Sequence, residues 1–228
     1  MKAVILAGGK GNRLLPLTLT KPKTIIEING KPIIDYILES LPDQIDEVVI
    51  IVEHLKEQII SHIGDSFHNK KVTYIDQIEM RGTFGALLST KDIFKPDEKF
   101  LVLNGDDINK KEELEKYILE SRAFGIQKMH MPNYHSIRYD KDCLIEGFYP
   151  QTEDEKVSGT FVATGVYMID SNIFTEEGFK LKDGEYGLPQ TLLLQKDKYP
   201  LKAVETEGWL PINSFEDKEK AEEILKNK

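Results

Sequence analysis

Four short apolar runs, at residues 3–6, 48–52, 72–75 and 100–103, alternate with segments whose apolar residues recur at helical spacing. The first run, Ala3-Val4-Ile5-Leu6, ends abruptly at Gly8-Gly9. Ile33, Ile34, Ile37, Leu38 and Leu41 then trace one helix face, with Pro32 at its start and Pro42 to stop it. Leu55, Ile59, Ile60 and Ile63 form a second stripe, Phe84, Leu87 and Leu88 a third within residues 83–94, and residues 111–122 read as a fourth helix. Strands that alternate with helices at this spacing cannot pair as hairpins. They predict an α/β chain with a Rossmann-like, doubly wound, mostly parallel sheet covered on both faces.

Beyond about residue 125 the rhythm changes. Strand-like stretches fall at residues 126–131, 144–149 and 160–168, and a helix at 188–194. Ser214-Phe215-Glu216-Asp217 reads as a capping box opening a C-terminal helix with Ala221, Ile224 and Leu225 on its apolar side. No repeat or Gly/Ser linker interrupts residues 1–228, so one domain with a more mixed C-terminal half is expected.

At 40% hydrophobic residues there is enough apolar material for a substantial core. The net charge of −9 argues against a general footprint for nucleic acid or an anionic membrane. No apolar run approaches the ~20 residues of a membrane helix. No signal-peptide pattern opens the chain, and the lone Cys143 suits a reducing, cytoplasmic setting. The charge is unevenly spread: residues 1–31 carry Lys2, Lys10, Arg13, Lys21, Lys23 and Lys31 against Glu27, a net of +5. An anionic ligand handled near the N-terminus is the expectation. In open α/β sheets such a ligand sits beyond the carboxyl ends of the strands.

The loop after the first strand reads Leu6-Ala7-Gly8-Gly9-Lys10-Gly11-Asn12-Arg13, then Pro16-Leu17-Thr18 and Lys21-Pro22-Lys23. Closely spaced glycines leave backbone N–H groups uncovered for phosphate oxygens, and Lys10, Arg13 and Lys23 can add charge-assisted bonds. The Walker pattern is missing, and so is the dinucleotide fingerprint, because Leu14 stands where a third glycine belongs. The whole string resembles the signature of the sugar-1-phosphate nucleotidyltransferases, with Gly8, Gly9, Gly11, Arg13, Pro16, Leu17, Thr18, Pro22 and Lys23 all matching. The resemblance implies the nucleotide-diphospho-sugar transferase fold, with residues 1–124 binding the nucleotide and 125–228 the sugar phosphate. It also implies that Leu6, Ala7, Gly8, Gly9, Gly11 and Asn12 wrap a nucleoside triphosphate. Arg13 would contact the departing pyrophosphate, and Lys23 would neutralise the reacting phosphates.

Three later segments extend the resemblance. Gln77 with Gly82-Thr83 is similar to the segment that reads the nucleobase, and a glutamine amide suits the imide edge of uracil or thymine. Asn104-Gly105-Asp106 is similar to the strand end whose aspartate binds Mg²⁺, which places the ligand at Asp106; the adjacent Asp107 can also serve as a helix-entry cap. Pro211 stands where many relatives have the second metal carboxylate. Asn213 matches a variant in which an asparagine does this work, and it also directly precedes the Ser214 cap. On the sugar side, Gly147, Thr164 and Gly165 match, as does Lys23. The lysine of the usual Glu-Lys-Pro is absent from Tyr149-Pro150-Gln151, and Lys156 is the nearby candidate to replace it.

The implied activity is Mg²⁺-dependent joining of a nucleoside triphosphate, UTP or dTTP for preference, to a sugar-1-phosphate, with pyrophosphate leaving. A cytidylyl- or guanylyltransferase acting on another phosphorylated acceptor stays open, as does a non-catalytic nucleotide-binding module. A glycosyltransferase would need an Asp-x-Asp motif that Asp106-Asp107 does not supply. His54, His62, His68, His130 and His135 lack metal-site spacing.

Overall fold

The computed structural model describes residues 1–77, 81–131 and 134–226. Strand β1 (Lys2–Leu6) leads through the Gly-rich loop to a small hairpin, β2 (Glu27–Ile28) and β3 (Lys31–Pro32). Helix α1 (Ile33–Ser40) follows and buries Ile33, Ile34, Ile37 and Leu38. It stops with Leu41 already extended, because a residue before proline is disfavoured in the α region. Next come β4 (Glu47–Val52), α2 (Lys56–Ile63), β5 (Ser66–Phe67), β6 (Lys70–Asp76) and α3 (Thr83–Leu88). Strands β7 (Lys99–Asn104) and β8 (Asp107–Ile108) precede α4 (Lys111–Ile118) and β9 (Ala123–Met129). The C-terminal part contains β10 (Ser136–Tyr139), β11 (Ile145–Tyr149), α5 (Glu153–Ser158), β12 (Thr160–Asp170) and α6 (Leu188–Leu194). It ends with β13 (Lys202–Glu205), β14 (Leu210–Pro211) and α7 (Phe215–Lys226).

The main sheet has the order β13-β9-β12-β7-β1-β4-β6-β5. Strands β7, β1, β4 and β6 form a continuous parallel block, and β13 runs parallel to β9. Strand β12 lies antiparallel between β7 and β9, the mixed character expected of the C-terminal half. Within the parallel block Leu6 pairs with both Ile51 and Asn104, so three strands end level with one another. The side chains of β1 alternate across the sheet: Ala3 and Ile5 join the core under α1, α2, α4 and α7, and Val4 the core under α3 and α6. Both faces are dry, which is why these strands read as unbroken apolar runs.

Some elements differ from expectation. Helix α3 ends at Leu88 rather than reaching residue 94, as the Thr90 hydroxyl turns back to donate to the Leu87 carbonyl. Helix α4 stops at Ile118 rather than reaching residue 122, and Arg122 makes a buried ion pair with Asp170 at 3.0 Å. Helix α5 lacks an apolar stripe, yet it forms behind a complete capping box in which Thr152 and Glu155 satisfy each other's backbone N–H groups. Among the described residues, no helix is long and apolar enough to cross a membrane.

Candidate active site

A cleft of about 610 Å³ opens beyond the carboxyl ends of β1, β4, β6 and β7. Its floor lies between β1 and β7, where the strand order reverses and the two following loops diverge, the position at which open α/β sheets bind ligands. Leu6, Ala7, Gly8, Gly9, Gly11, Asn12, Arg13, Lys23, Gln77, Gly82, Thr83, Asp106 and Asn213 all line it.

The Gly-rich turn is sterically committed to this geometry. A Cβ on Gly8 would stand 2.6 Å from Gln77 Oε1, so the glycine is what lets the Gln77 side chain approach the turn. Gly11 has φ of +64°, a left-handed conformation that costs other residues, and its carbonyl accepts a 3.0 Å hydrogen bond from the Thr18 hydroxyl. Across the cleft Gly82 (φ +91°) lies so close to Tyr186 that a Cβ would meet its backbone at 2.5 Å. The Phe179–Gly187 loop is pinned there: Tyr186 N–H donates to the Arg81 carbonyl at 2.9 Å, and Leu188 N–H to the Thr83 hydroxyl at 2.8 Å.

The cationic end of the cleft is built from three remote segments. Lys23 follows Pro22 in a short 3₁₀ turn and is largely buried. Its ammonium donates to Asp106 Oδ2 and, at 3.0 Å, to Asn213 Oδ1. Arg13 donates to the same Asn213 oxygen at 2.7 Å. Strand β14 brings Asn213 there: it pairs with β8, and Ile212 N–H donates to the Asp106 carbonyl at 2.9 Å. Pro211 is buried in that pairing, and Asn213, two residues on, is the one that reaches the cleft. The Asn213 backbone N–H is fixed at 2.9 Å by the carboxylate of Asp217, whose own N–H is capped by Ser214 at 3.1 Å. The expected capping box is thus present in shifted form, and it orients a residue of the site.

Asp107 is buried behind Asp106 and accepts from Asn104 Nδ2 at 2.9 Å. Burial first, and then the neighbouring Asp106 charge, push its pKa well up, against the opposing pull of Asn104 and Lys23. The phenol of Tyr134 closes the Arg13 side; burial raises its pKa and the Arg13 charge opposes the rise.

The sugar-side residues are placed differently. Thr164 is fully buried, and Gly165 packs under Asn104, where a Cβ would meet Nδ2 at 2.1 Å. From that strand Ala163 is the residue lining the cleft, and Gly147 lies in β11 opposite Arg138. Lys156 pairs with Glu153 on α5 at 2.6 Å, away from the cleft wall. Glu53, Arg81, Asn104, Tyr134, Glu185 and Trp209 also line the cleft. Asn104 and Arg81 adjoin expected site residues in sequence; Glu53, Tyr134 and Glu185 have no local signal, since only the fold brings them in.

A protein-family model described as "Nucleotidyl transferase" matches residues 2–210. The bifunctional protein GlmU of Methanococcus maripaludis is 31% identical over 212 residues, covering 92% of this chain and 50% of that protein. The chain thus spans about half the length of the GlmU relatives it matches. The UTP–glucose-1-phosphate uridylyltransferase AglF of Haloferax volcanii is 32% identical over 236 aligned residues, covering 99% and 96% of the two chains. A solved UDP-glucose pyrophosphorylase complexed with UDP-glucose shares the fold, with a TM-score of 0.83 at 20% identity over 99% of this chain and 98% of that one. The chain belongs to the nucleotidyl transferase family, the sugar-1-phosphate nucleotidyltransferases whose signature its Gly-rich loop resembles.

Proposed function

We propose that this protein transfers a nucleotidyl group from UTP or dTTP to a sugar-1-phosphate, releasing pyrophosphate and forming a nucleotide sugar. The observation that carries the reading is the convergence of Arg13 and Lys23 on Asn213 and Asp106 beside the Gly-rich turn. Two cations held at the exit of a phosphate-cradling loop suit a reaction whose difficulty is bringing two polyanions together. The names of AglF and of the UDP-glucose pyrophosphorylase support the same substrate classes.

In the proposed step an oxygen of the sugar phosphate attacks the α-phosphorus. The new P–O bond forms as the bond to the β-phosphate oxygen breaks, and pyrophosphate leaves with that electron pair. The nucleophile is already an anion, so no side chain has to remove a proton. Arg13 offsets charge on the leaving group, and Lys23 does so at the α-phosphate. Exposed N–H groups of the turn hold the phosphates, and Gln77 with the Gly82 backbone presents donors and an acceptor to the uracil or thymine edge.

Asp106 and Asn213 also fit a divalent cation such as Mg²⁺. Both present hard oxygen atoms, and those oxygens converge on one positive charge, the Lys23 ammonium. The ion would supply charge neutralisation at the triphosphate when bound. A pyrophosphate-release screen crossing the common nucleoside triphosphates with a panel of sugar-1-phosphates, with and without Mg²⁺, tests the reading. Release with UTP or dTTP and a hexose-1-phosphate is the expected result. Nucleotide binding without release from any pair overturns it in favour of a binding module.

A further inference from the structure

Glu53 is the residue directly after β4, and β4 is the parallel neighbour of β1. Its side chain lines the cleft beside the Gly-rich turn: a Cβ built on Gly8 would lie 3.4 Å from Glu53 Cβ and 2.6 Å from Gln77 Oε1. The acid and the base-reading amide therefore stand against the same point of the turn. Gln77 itself is tied to the end of β4 by its backbone N–H, which donates to the Val52 carbonyl at 3.0 Å. Glu53 is exposed, and among the described residues it makes no hydrogen bond or ion pair.

A free carboxylate in a cleft for a triphosphate needs a reason, because it repels the phosphates. It can be tolerated only where the ligand is neutral, on the nucleoside half, and there it can only accept hydrogen bonds. Uracil and thymine offer a single N–H on the imide edge, which the Gln77 amide satisfies. The donors that remain on the nucleoside are the ribose hydroxyls, and an O–H donating to a carboxylate is among the stronger hydrogen bonds. The placement has a physical precedent in dinucleotide-binding sheets. There too a Gly-rich turn follows the first strand, and an acidic side chain further along reads the ribose 2′-hydroxyl. This chain lacks that fingerprint, yet it puts an acid beyond the strand next to its own Gly-rich turn.

We infer that Glu53 accepts hydrogen bonds from the ribose hydroxyls and, through the 2′-hydroxyl, makes this protein select UTP over dTTP. The inference rests on the nucleotidyl-transfer reading and narrows it from two nucleotides to one.

The test compares kcat/KM for UTP and dTTP with a fixed sugar-1-phosphate in the wild type, Glu53→Gln and Glu53→Ala. The wild type should favour UTP. Glu53→Ala should lower the UTP/dTTP ratio about tenfold or more, chiefly through KM for UTP, the loss expected for a hydrogen bond to a charged group. Glu53→Gln, which keeps one acceptor, should fall between. A wild type that uses both nucleotides equally, or a ratio unchanged in Glu53→Ala, overturns the inference while leaving nucleotidyl transfer intact. If no pair releases pyrophosphate, the reading of the reaction has failed. The ratio of UTP to dTTP affinities by calorimetry on the same three proteins then decides the role of Glu53, with an unchanged ratio again overturning it.

Discussion

The guanidinium of Arg13 donates a 2.7 Å hydrogen bond to Oδ1 of Asn213, a residue two hundred positions further along the chain. That oxygen also accepts from Lys23, so one neutral amide aligns Arg13 and Lys23. Because Arg13 is exposed, removing it should leave the core untouched. Arg13→Ala is expected to lose on the order of 10²-fold or more in kcat, the scale of a lost transition-state charge partner. Steady-state pyrophosphate release, with circular dichroism as the check on folding, measures it. Near-wild-type turnover would remove Arg13 from the mechanism.

Asp106 and Asn213 should differ in how they respond to metal. A chelator is expected to abolish turnover, and added Mg²⁺ to restore it. Asp106→Asn removes the only formal charge among the two oxygen donors, and should lower kcat strongly at every Mg²⁺ concentration. Asn213→Ala removes a neutral donor, so more Mg²⁺, about tenfold or more, should recover much of the rate. Titrations of rate against free Mg²⁺ separate the two behaviours, and identical curves would argue against shared ligation.

How much of this was readable in the residues themselves follows from where each signal resides. The Gly8–Lys23 string is local, since steric and electrostatic demands on one turn fall on neighbouring positions. Its fold context, a strand before it and a helix after, was readable from periodicity. Asn213 could be named only by analogy, because nothing near it in sequence shows that β14 pairs with β8 and carries it to Asp106. Glu53 and Tyr134 carry no local pattern at all. Thr164 and Gly165 match a family segment, yet their strand turns them toward Asn104 and the interior, and Ala163 toward the cleft. Simple alternation along β12 would put Ala163 and Gly165 on one face, but Gly165 has φ of +73° and the register against β9 shifts between Ala163 and Tyr167, so which residue lines the cleft could not be counted off from periodicity.

Gly8 gives a test of the nucleotide end. In Gly8→Ala the new methyl would sit 2.6 Å from Gln77 Oε1, the end of a flexible side chain, so Gln77 should swing away rather than the fold break. The expected result is a KM for the nucleoside triphosphate raised about tenfold, for one lost hydrogen-bonding group. Gly8 is buried, but the atom the methyl meets is the far end of a movable side chain, so stability should change by less than about 1 kcal/mol. Thermal unfolding alongside kinetics distinguishes this from general damage.

Gln151, in the Tyr149-Pro150-Gln151 segment that lacks the usual lysine, has a structural role of its own. Its Nε2 donates to the carbonyls of Met131 and Tyr134 at 2.8 and 2.7 Å, a clamp on both residues that holds Tyr134 at the Arg13 side of the cleft. Gln151→Leu should therefore release Tyr134 and raise KM for the sugar phosphate several-fold, with a smaller change for the nucleotide. Gln151→Lys keeps N–H donors at that position and should do less harm. Equal effects on both substrates would show that the clamp serves the whole cleft rather than its acceptor side.

Asp107 gives the pH dependence. Burial, and then the Asp106 charge, raise its folded pKa above the ordinary value of 3.8, so the folded protein binds this proton more tightly than the unfolded chain. The sign follows from linkage. Below 3.8 the carboxyl is protonated in both states and costs nothing; as pH rises toward the folded pKa, the unfolded chain ionises first and the native state loses ground. At neutral pH Asp107 is thus a net burden on stability, only partly relieved by the hydrogen bond from Asn104. Asp107→Asn keeps an oxygen to accept that bond and removes the ionisation. The variant should melt at a higher temperature than the wild type at pH 7, and the gain should shrink and disappear as pH falls below about 4. Calorimetric melts at pH 4, 5.5 and 7 read this directly. A gain that is constant across that range would mean that the buried carboxylate is not what costs stability.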